Sequence, residues 1–136
     1  MMISTKGRYA LRVMLDLAGQ SQEEFISLKA ISDRQKISMK YLEAIVASLS
    51  KAGMLESQRG KSGGYRLNKP AAAYSVGNVL RAAEGELTAV SCLEESKGGC
   101  DRAGECLTLP LWRNLDKVVG DYLDSVTLAD LLEERL

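Results

Sequence analysis

The sequence predicts a mainly α-helical chain with one small β-hairpin, and three observations carry that expectation. Apolar residues recur at helical spacing before residue 53, in segments separated by good capping residues. Two short strand-like runs within residues 54–67 flank a glycine-rich, basic turn. Beyond Pro110 a long apolar stripe runs from Leu111 to Leu123. Two helices joined by a tight turn and followed by such a hairpin describe a winged helix-turn-helix. The fold class is therefore mainly α with a small β-hairpin wing, plus a long C-terminal helix suited to dimerisation.

The elements follow in order. Tyr9, Ala10, Val13, Met14, Leu17 and Ala18 form one stripe of a helix from Thr5 to Gly19, with Lys6, Arg8, Arg12 and Asp16 off it. After a polar break, Ser27 caps a short helix through Leu28, Ala30 and Ile31 that ends near Lys36. Ser38 caps a longer helix with a buried face of Leu42, Ile45, Val46 and Leu49, and Gly53 supplies its left-handed stop. The wing occupies residues 54–67, and Pro70 closes that unit. Ser75 caps a helix through Val76, Val79, Leu80 and Ala83 that stops at Gly85. Residues 86–106 show no sustained period. Pro110 suits a helix's first turn, and Leu111, Leu115, Val118, Val119, Tyr122 and Leu123 make the stripe beyond it. Thr127 with Asp130 resembles a capping box for a last short helix to Leu136. Three units are expected: 1–70, a DNA-binding domain; 71–107, a linking helix and a cysteine-containing sensor loop; and 108–136, the dimerisation helix and the C-terminal helix.

Composition narrows the function. Hydrophobic residues at 46% and charged residues at 26% are ordinary for a globular protein. Arg12 and Asp16 break the first apolar stretch, which rules it out as a signal-peptide core, and no later stretch is long enough to span a membrane. The expected location is the cytoplasm, without a membrane partner, where reduced thiols disfavour structural disulfides. The net charge of zero hides an asymmetry: residues 1–70 hold twelve Lys/Arg against six Asp/Glu, and residues 71–136 hold six against twelve. One half is built to meet a polyanion.

A helix entering a major groove needs small or polar residues near its N-terminus and an apolar face behind. Ser38, Lys40, Tyr41 and Glu43 supply the first, and Leu42, Ile45 and Leu49 the second. Glu43 is compatible with DNA where it accepts from a cytosine amino group or stays solvated. In the wing, Arg59 stands beside Gly60 and Lys61 at a turn able to approach another backbone closely, which suits an arginine in a narrow minor groove. Lys61, Arg66 and Lys69 are candidate phosphate contacts. From Arg34 to Lys69 the chain holds eight positive and two negative residues, which favours double-stranded DNA as the partner.

These residues also carry a family resemblance. Ile3-Ser-Thr-Lys-Gly-Arg-Tyr9, Tyr41-Leu-Glu43, Lys51-Ala-Gly-Met-Leu55, Arg59-Gly-Lys-Ser-Gly-Gly-Tyr65 and the spaced cysteines before Leu111-Trp112 resemble the iron–sulfur cluster regulators of the IscR type and their cysteine-free CymR-type relatives. The resemblance runs nearly end to end. It implies a homodimeric transcription regulator whose long C-terminal helix crosses to the partner and whose wings grip a palindromic operator. It places Ser38, Lys40, Tyr41 and Glu43 on recognition-helix contacts and Arg59 in the minor groove. Lys40 stands where the IscR type has a small hydroxyl residue.

Cys92, Cys100 and Cys106 are the chain's only cysteines, separated by seven and five residues in a loop with Gly98, Gly99 and Gly104. Flexible backbone at that spacing lets three thiolates converge on one centre, and the resemblance makes that centre an iron–sulfur cluster, expected as [2Fe–2S]. The chain has no histidine, and Leu109 stands where the IscR type places one. A fourth ligand is left to Glu94, Glu95, Asp101 or Glu105, to a partner-subunit group, or to an outside thiol or water. These acidic residues are expected to raise thiol pKa unless a cation offsets them, favouring metal binding over a hyper-reactive free thiol.

The expected function is a dimeric regulator that senses iron–sulfur status or redox and nitrosative stress through the three-cysteine loop. The alternative is a winged-helix regulator controlled by thiol oxidation or a partner protein, with no cluster. No catalytic constellation is legible: there is no histidine, no Cys-x-x-Cys and no phosphate-binding glycine signature, so no enzyme is expected.

Overall fold

The structure, a computed structural model, describes residues 3–94, 98, 102 and 104–136. The helices are α1 (Thr5–Ala18), α2 (Leu28–Gln35), α3 (Met39–Lys51), α4 (Val76–Glu84), α5 (Leu109–Ser125) and α6 (Leu128–Leu132). Strands β1 (Leu55–Gln58) and β2 (Gly64–Leu67) form an antiparallel hairpin between α3 and α4, in the register Leu55 opposite Leu67 and Gln58 opposite Gly64. Short 3₁₀ turns cover Ala71–Ala73 and Ser91–Leu93.

Helix starts are set by local chemistry. The hydroxyls of Ser4, Ser27, Ser38, Ser75 and Thr127 each accept from the backbone N–H three residues on, at 3.1–3.3 Å. Each satisfies an otherwise orphaned donor, and each contributes about 1 kcal/mol. Thr127 and Asp130 complete a reciprocal capping box. Left-handed residues at Lys36 and Gly53 stop α2 and α3. The last helix is shorter than the sequence suggests: it closes at Leu132, Glu134 turns left-handed, and the Arg135 guanidinium folds back onto Asp130 and Glu133. No apolar residue beyond Leu132 docks to extend it, since Leu136 is exposed.

One core gathers the inward faces of α1, α3 and α4. Ala10, Val13, Met14 and Leu17 meet Leu42, Ile45, Val46 and Leu49, with Ile31, Ile37, Val79 and Leu128 filling between them. The hairpin joins this core through Leu55 and Leu67. It also gains a backbone pairing on its outer edge unseen in the sequence: Ile26 exchanges both backbone hydrogen bonds with Tyr65 at 2.8 Å. Gly64 makes that possible, because a Cβ there would overlap the Ile26 carbonyl.

Two clasps tie the C-terminus to α4. Val76 donates to the Val126 carbonyl at 2.8 Å and Leu128 to the Tyr74 carbonyl at 3.0 Å, with Ser75 and Thr127 paired between them. The Arg81 guanidinium grips Asp124, at the end of α5, with contacts of 2.7 and 3.2 Å.

Asp16, off the apolar stripe in sequence, is buried. Its carboxylate accepts from Arg34 at 2.7 and 3.0 Å and from Gln35 Nε2 at 2.9 Å, locking α2 onto α1, while Arg12 holds the Gln35 side chain and carbonyl. Burial pushes this carboxyl up, but the bonds from Arg34 and Gln35 and the Arg34 charge together hold it below the ordinary value. Because the folded value is depressed, the stabilisation is present above about pH 4 and is lost as pH falls through the native value. Asp16→Asn should therefore cost about 1–3 kcal/mol at neutral pH, discounted from a fully buried pair because Arg34 is partly exposed. In urea titrations the difference from native protein should shrink as pH falls below about 4. An equal deficit at pH 3 and pH 7 would remove the ionic role.

Candidate nucleic-acid interface and cysteine loop

The core fixes which face of α3 is presented. With Leu42, Ile45, Val46 and Leu49 buried, Ser38, Lys40 and Glu43 are exposed on the N-terminal half of the opposite face. Tyr41 is half-buried, its ring edge-on to Tyr9 with centroids 5.7 Å apart. Thr5, Tyr9, Lys36, Ile37, Ser38 and Tyr41 line a shallow groove of about 360 Å³ at the helix-turn-helix junction. Arg12 stacks on Tyr9 from α1, 4.9 Å from the ring centroid.

Arg59, Gly60 and Lys61 form the exposed tip of the wing, with Gly60 at φ +104° and its carbonyl accepting from Gly63 at 3.0 Å. Among the described residues Lys40, Arg59 and Lys61 enter no ion pair, so their charges are available to a polyanion. Arg66 differs. Its guanidinium lies 4.1 Å from the Phe25 ring centroid, pairs with Glu56 at 2.8 Å and donates to the Glu23 carbonyl at 3.0 Å. That committed geometry makes it a strut between the wing and the α1–α2 loop rather than a free phosphate contact. Lys69 stays exposed, its ammonium 5.8 Å from the Tyr74 ring centroid.

The cysteine loop joins α4 to α5. Cys92 lies half-buried in the Ser91–Leu93 turn, and the Ala89 N–H donates to Asp116 Oδ1 of α5 at 2.5 Å, three residues before it. Cys106 is half-buried, its Sγ 3.2 Å from Thr108 Oγ1. The Thr108 hydroxyl does not cap α5. Instead the hydroxyl and backbone N–H of Thr108 hold the Cys106 thiol below its ordinary value, aided by the Leu109 N–H and the Arg102 charge. The acidic loop does not raise this thiol as expected: the Thr108 and Leu109 donors lower it, and Arg102 supplies an offsetting cation. Cys100, with Glu95 and Asp101, lies outside the described residues. Among the described residues no three potential metal ligands converge.

Comparison with known proteins assigns the family. The Rrf2 family model, described as an iron-dependent transcriptional regulator, matches residues 3–134. The chain belongs to the Rrf2 family. An HTH-type transcriptional regulator of Neisseria meningitidis is 46% identical over 135 residues, 99% of this chain and 90% of that relative. An HTH-type transcriptional regulator IscR of Vibrio vulnificus is 42% identical over 99% of this chain and 79% of its own length. The solved structure of CymR, the global cysteine regulator of B. subtilis, superposes with a TM-score of 0.78 at 37% identity, covering 98% of both chains. The chain is thus a transcriptional regulator of the Rrf2 type with the winged-helix fold expected from sequence.

In this Rrf2 chain α5 carries an unpartnered face. Of its seventeen residues only Leu109 is buried, 4% exposed, at the position where the IscR-type pattern places histidine; it supplies no donor atom. Leu111, Leu115, Val118 and Tyr122 are 57%, 40%, 66% and 59% exposed on one stripe. A stripe with steps of four, three and four residues covers about 16 Å of helix length. Apolar side chains left open at helical spacing suit a helix partner. No described helix is long and apolar enough to cross a membrane.

Proposed function

We infer that this chain acts in the cytoplasm as a homodimer, paired through the α5 stripe, that reads a palindromic operator with α3 and the wing. The observation that carries the DNA reading is the wing tip, where Arg59 and Lys61 are exposed and unpaired while Arg66 is held back as a strut. Ser38, Lys40, Tyr41 and Glu43 meet base edges or adjacent phosphates in the major groove. Arg59 enters the minor groove, where Gly60 allows close approach, and Lys61 neutralises phosphate. The operative units are those read from sequence: residues 1–70 for DNA, 71–107 for sensing and 108–136 for pairing.

We further propose that Cys92, Cys100 and Cys106 hold an iron–sulfur cluster of the [2Fe–2S] type. The donor chemistry fits: the two described cysteines are unpaired and partly open, and the Cys106 surroundings favour thiolate, the form that binds iron. A bound cluster supplies a redox- and iron-responsive centre. The chain's part is to offer the thiolates, to orient the Cys106 sulfur through Thr108, and to join the loop to α5 through Asp116 and Ala89. The fourth ligand comes from Glu94, Glu95, Asp101 or Glu105, a partner group or an outside molecule. A second reading, thiol oxidation without a cluster, is favoured by the same lowered Cys106 thiol and by the likeness to CymR.

On a palindromic duplex selected from random DNA by the native protein, Arg59→Ala should cost about 1–3 kcal/mol and relax preference at one position. Val118→Glu should sediment as monomer and bind the same duplex more weakly; an unchanged dimer would remove α5 as the pairing element. Anaerobic reconstitution with iron and sulfide should give visible absorption that Cys92→Ala, Cys100→Ala or Cys106→Ala each abolish. Native protein that takes up no iron, while mild oxidation alters its DNA affinity, would select the thiol reading.

A further inference from the structure

A hairpin of two short strands is marginal in water, so its base must be held from outside. One buried phenol does this. The Tyr74 side chain is 2% exposed, and its hydroxyl accepts from the backbone N–H of Asn68, directly after β2, at 2.9 Å. The hydroxyl proton is shared between the Met54 carbonyl, directly before β1, at 2.9 Å and Asn68 Oδ1 at 2.5 Å. Asn68 Nδ2 in turn donates to the Gly53 carbonyl at 2.7 Å. Both feet of the wing therefore close on one oxygen. Burial also raises the phenol above its ordinary value, so it stays protonated and able to donate at neutral pH.

The main chain of the same residue belongs to the other end of the molecule. The Tyr74 carbonyl accepts from Leu128, Ser75 pairs with Thr127, and Val76 donates to Val126, the residue that ends α5. The last turn of α5 is itself gripped by Arg81 through Asp124. The side chain of Tyr74 thus holds the wing while its backbone holds the end of α5. A phenylalanine would fill the same core volume, so the hydroxyl is what the hairpin specifically requires.

We propose that Tyr74 is a positioning residue for DNA binding, a joint that transmits the placement of the C-terminal end of α5 to the wing. Its consequence for DNA rests on the reading that the wing contacts the operator, whereas the mechanical link is a property of the free protein. Movement of residues 126–128 displaces the Tyr74 backbone, and the hydroxyl carries that displacement to Met54 and Asn68 together.

Native-state amide exchange on the free, full chain tests the link. Tyr74→Phe should speed exchange at Asn68 about tenfold, while Ile45 and Leu49 in the α3 core, which report global opening, follow overall stability. Thr127→Ala, which removes the α6 cap beside the clasp, should speed exchange at Asn68 by about threefold with Tyr74 present and add nothing in the Tyr74→Phe chain. Exchange at Asn68 that ignores Thr127→Ala, or responds equally in both backgrounds, overturns the joint. On the selected duplex, Tyr74→Phe should weaken binding about fivefold in the native background and add nothing where Arg59 and Lys61 are both replaced by alanine. Coupled exchange with flat DNA binding would keep the joint and remove the wing from the interface; uncoupled exchange removes the joint whatever the DNA result.

Discussion

The rest of the molecule depends on the burial of one face of α3. Leu42, Ile45, Val46 and Leu49 have almost no exposure, and together they contribute several kcal/mol, about 1.5–3 for each side chain removed from water. That gain is available in only one rotation of the helix, so Ser38, Lys40 and Glu43 must face outward. Specificity in placement is added by a charge. Apolar packing of α2 offers little orientation, since Ile31 is its only buried residue. The Asp16 carboxylate instead takes directional bonds from Arg34 and Gln35, which fix α2 against α1.

The charge asymmetry of the sequence acquires a spatial meaning from these constraints. Lys40 on α3 and Arg59 and Lys61 at the wing tip reach solvent. Several other positive charges of the first half are withdrawn into structural work, Arg34 on Asp16, Arg66 on Phe25 and Glu56, Arg12 on Gln35 and Tyr9, and Lys29 on Asp33. What remains unpaired is a small set, Lys40, Arg59 and Lys61 among them, on the elements that the winged-helix fold turns toward a duplex. The number of basic residues therefore overstates the available charge.

Much of this was legible in the sequence because the governing interactions are local. Each serine or threonine cap acts within three residues, and each apolar stripe reports a face whose partner need not be known. Four of the five caps, Ser27, Ser38, Ser75 and Thr127, and the buried faces of α1, α3 and α4 follow from that, while the Ser4 cap is added by the structure. The parts that were hidden depend on residues distant in sequence: Ile26 completing the hairpin beside Tyr65, Arg66 stacking on Phe25, and Asp16 being sealed by Arg34. Charged residues are ambiguous in sequence for this reason, since the same side chain serves as strut or contact according to neighbours forty positions away. At Cys106 the misleading feature was net loop charge, whereas the thiol responds first to adjacent donors, above all Thr108, whose hydroxyl is 3.2 Å away.

The placement of the cysteine loop between α4 and α5 has a mechanical consequence. Its upstream side is continuous with α4, part of the core that seats α3. Downstream it leads directly into α5, and the Ala89–Asp116 bond ties it to that helix a second time. α5 fully buries only Leu109 within its own chain, so its position is set by the Ala89–Asp116 bond near its middle, by Leu123 packed against Val76 and Leu80 with the Arg81–Asp124 grip at its far end, and by whatever covers Leu111, Leu115, Val118 and Tyr122. If a second copy covers the stripe, a change in the loop shifts both chains at once, and an equilibrium between two placements is biased only by a ligand that favours one of them. On the proposed sensing role, chemistry in the loop needs no direct contact with α3 or the wing.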